Sequence, residues 1–190
     1  MIAVIGAFPG AGATHLSLAL ANYLTNVEGL RACYLELGIP KNGSVRKMIG
    51  ESAEVCGRTV SFTTGGLTCY LQTDEDSLRK IRQTSGDCMI VDVQNPYEET
   101  VLRDRFGFDR ILIVGSACPW RYHDFQLLIR HAYEQVPDIL KGKFYGTCAG
   151  EQEIRRFEKE FEKPLHPLPP IRDPLHLTQE DLRFLETVLW

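Results

Sequence analysis

A chain of 190 residues with 44% hydrophobic and 24% charged residues has the composition of a folded globular protein, long enough for a single domain spanning 1–190 with its own core. Its formal net charge of -4 speaks against a general nucleic-acid binder, so nucleic acid is not an expected partner. The six cysteines, Cys33, Cys56, Cys69, Cys88, Cys118 and Cys148, form no C-x-x-C pair and keep no zinc spacing with histidine, and most sit in apolar, β-rich runs; they read as buried thiols of a reducing cytosol.

The opening run MIAVIGAF lacks a basic leader and passes straight into glycines, so it reads as a strand over Met1 to Ile5 and not as a signal peptide. No apolar stretch reaches the roughly 18 to 20 residues that span a bilayer, and a cytoplasmic location is expected. After Gly6 to Ala13, the positions Leu16, Leu20, Tyr23 and Val27 share one helical face, which predicts a helix over Thr14 to Asn26 that Gly29 ends. Arg31 to Leu37 is a second strand and Gly38 to Gly43 a loop, with a short helix near Ser44 to Ile49. Thr59 to Thr63 and Leu67 to Leu71 flank Gly65-Gly66 as a hairpin or one bent strand, and Asp74 to Gln83 reads as helix.

Asp87 to Val93 and Arg110 to Gly115 are buried strands, with a helix between them around Glu98 to Phe106. A helix over Tyr122 to Gln135 turns Phe125, Leu128, Ile129, Ala132 and Tyr133 to the core, and Lys143 to Thr147 is a further strand. Glu151 to Glu162 places Ile154, Phe157 and Phe161 on one face, Pro164 to Pro174 is a proline-rich connection, and Leu177 to Leu189 is a closing helix. Strands alternating with helices predict an α/β fold, a three-layer, doubly wound, mostly parallel sheet.

The chemistry concentrates in MIAVIGAFPGAGATHLSLAL, where a strand, a glycine-rich turn and a helix that begins at a hydroxyl residue follow in that order. Such a turn aims main-chain N–H groups and a helix N-terminus at an anion, and glycine lets the backbone close on it. Against the phosphate-loop pattern G-x-x-x-x-G-K-[ST], residues Ala7 to Thr14 read AFPGAGAT: Gly12 and Thr14 fit, while Ala13 replaces the lysine. The candidate nucleotide-binding residues are therefore Gly10, Ala11, Gly12, Ala13, Thr14 and His15, with the Thr14 hydroxyl a candidate magnesium ligand. No catalytic side chain is assigned, because neither a G-x-S-x-G elbow nor an H-E-x-x-H motif is present.

Over about three quarters of its length the chain resembles the MinD/ParA family of P-loop ATPases. In register with that family's KGGVGKT loop, FPGAGAT puts Phe8 at the signature lysine and Ala13 at the usual one, while Gly10, Gly12 and Thr14 match. YLELG supplies Glu36 and Gly38 where the family has an acidic pair, and RILIVGSACPW and PPIRDP are similar to two later segments. IVDVQNP places Asp92 at the family's strand-end aspartate, which implies that Asp92 joins Thr14 in holding magnesium, through one of the ion's waters. At the base-reading asparagine stand Thr147 and Cys148.

The resemblance implies a P-loop NTPase-like fold with a degenerate Walker A loop, ATP or another nucleotide and magnesium as cofactors, and at most weak ATPase activity. It further implies a regulatory, positioning or assembly role through a protein partner, with a homodimer as one form. Two alternatives are an ATP-dependent ligase or small-molecule kinase that takes its cation from elsewhere, and a DNA-partition-type ATPase. Lys41, Arg46, Lys47 and Arg121 follow strand ends on the ligand side and read as solvated charges, with Arg121 the best placed as a replacement cation. His15 lies near a bound phosphate or simply faces solvent or a neighbouring helix, Trp120 with Arg121 and Tyr122 forms an exposed aromatic patch for a partner or packs over the sheet end, and Glu98 and Glu99 lie where the family has a switch segment.

Overall fold

A computed structural model describes residues 1–38, 45, 53–84, 86–97, 107–135 and 137–190. The helices expected near Ser44 to Ile49 and around Glu98 to Phe106 lie outside the described residues, as do Lys41, Arg46, Lys47, Glu98 and Glu99. The architecture is α/β and mostly parallel, with flanking helices, as the alternating pattern implies. The chain divides into two compact units, one of Met1, Thr14–Gln94 and Ile171–Trp190, the other of Ile2–Ala13 and Asn95–Pro170.

In the first unit the strands are β2 (Ala32–Leu37), β3 (Glu54–Cys56), β4 (Thr59–Thr64), β5 (Leu67–Thr73) and β6 (Cys88–Val93), in the order β3-β4-β5-β2-β6. Strand β2 runs parallel to both β5 and β6, whereas β3, β4 and β5 are joined antiparallel. Every residue of β2 is buried, as expected of a strand covered on both faces, whereas β5 alternates buried and half-buried positions. Gly65 and Gly66, with φ of 52° and 81°, make the two-residue turn between β4 and β5, so the hairpin is the correct one of the two arrangements. Helix α1 (Ala13–Asn26) buries Leu16, Leu20 and Tyr23, and its Asn26 side chain donates to Gly65 O at 2.8 Å.

Val27, expected on that buried face, is 52% exposed because the helix ends one residue earlier and Gly29, at φ 68°, turns the chain away. Helix α2 (Glu75–Thr84) buries Leu78 and Ile81. The short strand β3 lies wholly exposed, and with it Cys56, one correction to the reading of the cysteines as core residues.

The second unit holds β1 (Ile2–Gly6), β7 (Arg110–Ser116), β8 (Lys143–Thr147) and β9 (Leu165–Pro167), all parallel and in that order. Strand β9 lies inside the stretch expected to be a plain connection. An outermost strand is where proline is tolerated, because one of its edges needs no N–H donors. Helices α3 (Tyr122–Gln135) and α4 (Glu151–Phe161) belong to this unit, with a 3-10 turn over Pro137–Lys141. Phe157 stacks on Phe125, Phe144 and Phe161 at centroid distances of 5.2, 5.6 and 5.0 Å, and Gly115 leaves room for the Phe125 ring, which a Cβ would meet at 2.3 Å.

Phe125, Leu128, Ile129 and Ala132 are buried as expected, but Tyr133 is 50% exposed, at the margin of the helix face with its hydroxyl toward Phe161 O at 3.5 Å. Helix α5 (Gln179–Leu189) closes the first unit with a capping box between Thr178 and Asp181. Among the described residues no helix is long and apolar enough to cross a membrane.

Candidate phosphate-binding loop

Strand β1 is carried past its last residue by the Ala7 N–H, which donates to Val114 O at 2.8 Å. The chain then turns through Phe8-Pro9-Gly10-Ala11, closed by the Ala11 N–H on Phe8 O at 3.1 Å. Proline in the second place and Gly10 at φ 93° in the third make this a type II turn. Gly12 has φ 102°, and a Cβ there would stay 3.5 Å or more from Leu168, Thr147 and Val114. Backbone conformation, not lack of space, therefore demands glycine at this position. Gly6 answers to space: its Cβ would come within 3.1 Å of that of Ala13, so small residues at both positions let the loop's two ends approach.

The loop opens α1, whose first turn carries no acidic residue. The first turns of α2, α3, α4 and α5 all carry one or two: Glu75 and Asp76, Asp124, Glu151 and Glu153, Glu180 and Asp181. At those four ends a side-chain carboxylate offsets the positive pole of the helix; at α1 the sequence supplies none. No lysine or arginine lies between Ala7 and Thr14 either. His15 is exposed at the start of the helix.

In the first unit, the Thr14 hydroxyl donates to Asp92 Oδ2 at 2.7 Å. The same oxygen accepts from the Tyr34 hydroxyl at 2.9 Å and the Gln94 side-chain amide at 2.6 Å. Asp92 is 1% exposed, and burial pushes its carboxyl up to about 6 against the opposing pull of those three hydrogen bonds. All three of these donors are neutral.

Burial of a carboxylate among neutral groups costs free energy that protonation or a nearby cation would relieve. Magnesium suits a site of this kind, since it takes one or two protein oxygens and completes its shell with water and phosphate. Among the described residues no cluster of three or more His, Cys, Asp or Glu could hold a metal ion. Thr14 and Asp92 are the residues that would hold it.

Glu36, at the position of the family's first acidic residue, is opposite Asp92 in the β2–β6 register and is 2% exposed. Its Oε1 accepts the Gln72 N–H at 3.2 Å, where β5 bulges and Gln72 adopts φ 54°. This carboxylate thus holds a bulge in the sheet. Tyr34 and Gln94 were not singled out by the sequence. The signal for both was positional: Gln94 lies two residues after Asp92, and Tyr34 two before Glu36 on the adjoining strand.

In the second unit, Arg121 lies with its guanidinium carbon 5.0 Å from the centre of the Phe8 ring and Nη1 3.3 Å from Asp124. Trp120 is 79% exposed and so projects from the surface. Thr147 donates to Gly115 O at 3.2 Å. Cys148, exposed at φ 53°, shares a hydrogen bond with Cys118 that, with burial, pushes its thiol up; with Cys56 exposed and Cys88 half-buried, it departs from the expected buried set of cysteines.

No family model matches the chain, and no curated protein matches it. Among solved structures it is similar to a chain of the MinC:MinD cell division protein complex of Aquifex aeolicus, with TM-score 0.70 and 13% identity over 99% of this chain and 95% of that one. A ParA family ATPase of Chlorobium tepidum TLS gives TM-score 0.64 and 15% identity, covering 99% of this chain and 90% of the other. A putative plasmid partition protein of Borrelia burgdorferi B31 bound to AMPPNP gives 0.64 and 10%, covering 99% and 95%. With strand, glycine loop and helix in the expected order, the chain has the fold of the MinD- and ParA-type P-loop NTPases.

Proposed function

We propose that the protein binds a nucleoside triphosphate with magnesium and acts as a positioning or assembly factor through contacts with a protein partner, hydrolysing the nucleotide weakly or not at all. The phosphates lie on the main-chain N–H groups of Gly10, Ala11, Gly12, Ala13 and Thr14, with His15 at the rim. Magnesium takes the Thr14 hydroxyl, and Asp92 holds it directly or through a water. The ion supplies positive charge at the phosphates, and the chain's own part is to orient it and to keep Asp92 dry.

The observation that carries this reading is the buried Asp92, held by Thr14, Tyr34 and Gln94 with no cation among these donors. The fold shared with a partition protein bound to AMPPNP and with the MinC:MinD complex supports the nucleotide and the protein partner.

Weak turnover follows from Ala13. A charge-assisted contact to phosphate contributes about 1.5–3 kcal/mol, so its loss weakens binding by roughly 10- to 150-fold. Charge builds further on the transferred phosphoryl group in the transition state, so hydrolysis suffers more than binding.

Thermal unfolding with and without millimolar ATP and magnesium tests the proposal, because a ligand of the native state raises the melting temperature by mass action. A rise that Thr14→Ala removes, together with negligible phosphate release, is expected. An unchanged melting temperature contradicts nucleotide binding. Turnover at on the order of 10 per second, the common enzyme range, contradicts the weak-hydrolysis part and favours the ligase or kinase alternative. Binding to DNA that falls steeply with salt would favour a partition role instead.

A further inference from the structure

A loop that holds phosphate by main-chain amides alone leaves most of the anion's charge unanswered, and between Ala7 and Thr14 the chain provides no basic side chain. The second unit brings one to this loop from elsewhere. After β7 the chain folds into a tight turn, with the N–H groups of Arg121 and Tyr122 both donating to Cys118 O, at 3.0 and 2.8 Å. That turn fixes the backbone of Arg121, and its guanidinium carbon then sits 5.0 Å from the centre of the Phe8 ring. Phe8 is itself the first residue of the loop's type II turn, and its carbonyl accepts the closing N–H of Ala11.

The contact is selective in what it occupies. A guanidinium over an aromatic ring is attracted through its charge to the ring face, and this cation–π contact consumes none of its N–H donors. One of these approaches Asp124 at 3.3 Å, and the side chain remains 53% exposed. A planar fork of this kind pairs with two phosphate oxygens at once, which a lysine does not do.

We propose that Arg121, steered by the Phe8 ring, is the phosphate-binding cation of this site, supplying from the β7–α3 turn the charge that the loop lacks. The inference rests on the nucleotide-binding reading above and adds the residue that sets its preference for triphosphate. Asp124 competes with the phosphate for the same guanidinium, so the ion pair yields when nucleotide binds.

Calorimetric titration of ATP and ADP with magnesium tests this on the wild-type chain and on Arg121→Ala, Arg121→Lys, Phe8→Leu and Asp124→Asn. Loss of one charge-assisted contact predicts that Arg121→Ala weakens ATP binding by roughly 10- to 150-fold, and ADP binding less. Arg121→Lys should restore part of the loss, because it keeps the charge without the fork. Phe8→Leu, which keeps apolar bulk but removes the ring face, should weaken ATP binding severalfold, and Asp124→Asn should tighten it. The Asp124→Asn gain keeps the test informative should Arg121→Ala fail to fold, since a loss of folding cannot mimic tighter binding.

If the wild-type chain binds ATP and both Arg121→Ala and Asp124→Asn leave its affinity unchanged, Arg121 is not the cation, while the nucleotide reading stands. If the wild-type chain binds neither nucleotide, that reading fails and this inference with it.

Discussion

In the loop of residues 7–13 the groups that would hold an anion are all main chain, whereas the carboxylate of Asp92 is held by the side chains of Thr14, Tyr34 and Gln94. The loop keeps its shape through conformation: a Pro-Gly turn, Gly12 at φ 102°, and Gly6 opposite the small Ala13. Its charge is gone. The Asp92 cluster keeps its charge and is shaped around it by neutral hydroxyl and amide donors. Backbone shape and buried charge are thus carried by different residues: the loop has a fixed main chain and no charged side chain, and the charge belongs to the buried Asp92. Each half is open to a different kind of damage.

The largest effect is expected at the carboxylate. Its folded value of about 6 lies above the ordinary 3.8, so the folded protein binds a proton at Asp92 more tightly than the unfolded chain does. For a raised carboxyl the sign is unfavourable: wild-type stability falls as pH rises from about 4 through 6, and the full cost remains above that. A gap of roughly two units corresponds to about 3 kcal/mol. Asp92→Asn should therefore make the nucleotide-free protein more stable at pH 8 by up to about that amount, and by little near pH 4. Urea melts of both proteins at the two pH values check it; equal stabilities at pH 8 would mean that Asp92 is not strained by its burial. The same variant should lose the magnesium-dependent part of any nucleotide stabilisation.

Next in size is the loop's missing charge. On the proposed binding of phosphate to the loop's main chain, Ala13→Lys should tighten ATP binding by roughly 10- to 150-fold, read by calorimetry. No gain would show that the loop is not shaped to receive phosphate. Smallest is the conformational term: Gly12→Ala places an L-residue in a region it rarely adopts, at a cost of about 1–3 kcal/mol, and its Cβ meets nothing closer than 3.5 Å. Denaturant melts should show that loss of stability; a neutral substitution would mean that the loop relaxes.

Most of the architecture was legible in the sequence because buried parallel strands are written as continuous apolar runs. IAVIG, ACYLEL, CMIVDV and RILIVGS are strands within a residue or two of where the pattern puts them. Strand β9 was not legible, because LHP in a proline-rich stretch has no strand pattern and pairs only through its place beside β8. Tyr133 and Val27 follow helical spacing, yet one lies at the margin of a buried face and the other beyond a helix end. In the site, Thr14 and Asp92 were named by motif, while Tyr34 and Gln94 come to Asp92 through the β2–β6 register, which one strand's sequence does not encode. The placing of Arg121 on Phe8 joins residues far apart in the chain, and only the fold reveals it.

The central claim, that a lysine-free loop still holds a nucleotide, is tested most directly by equilibrium titration of the wild-type chain with magnesium and ATP at low salt. The account predicts saturable binding at one site per chain, weaker than that of a lysine-bearing loop and lost on removing magnesium or on Thr14→Ala. Absence of saturable binding up to millimolar ATP would contradict it.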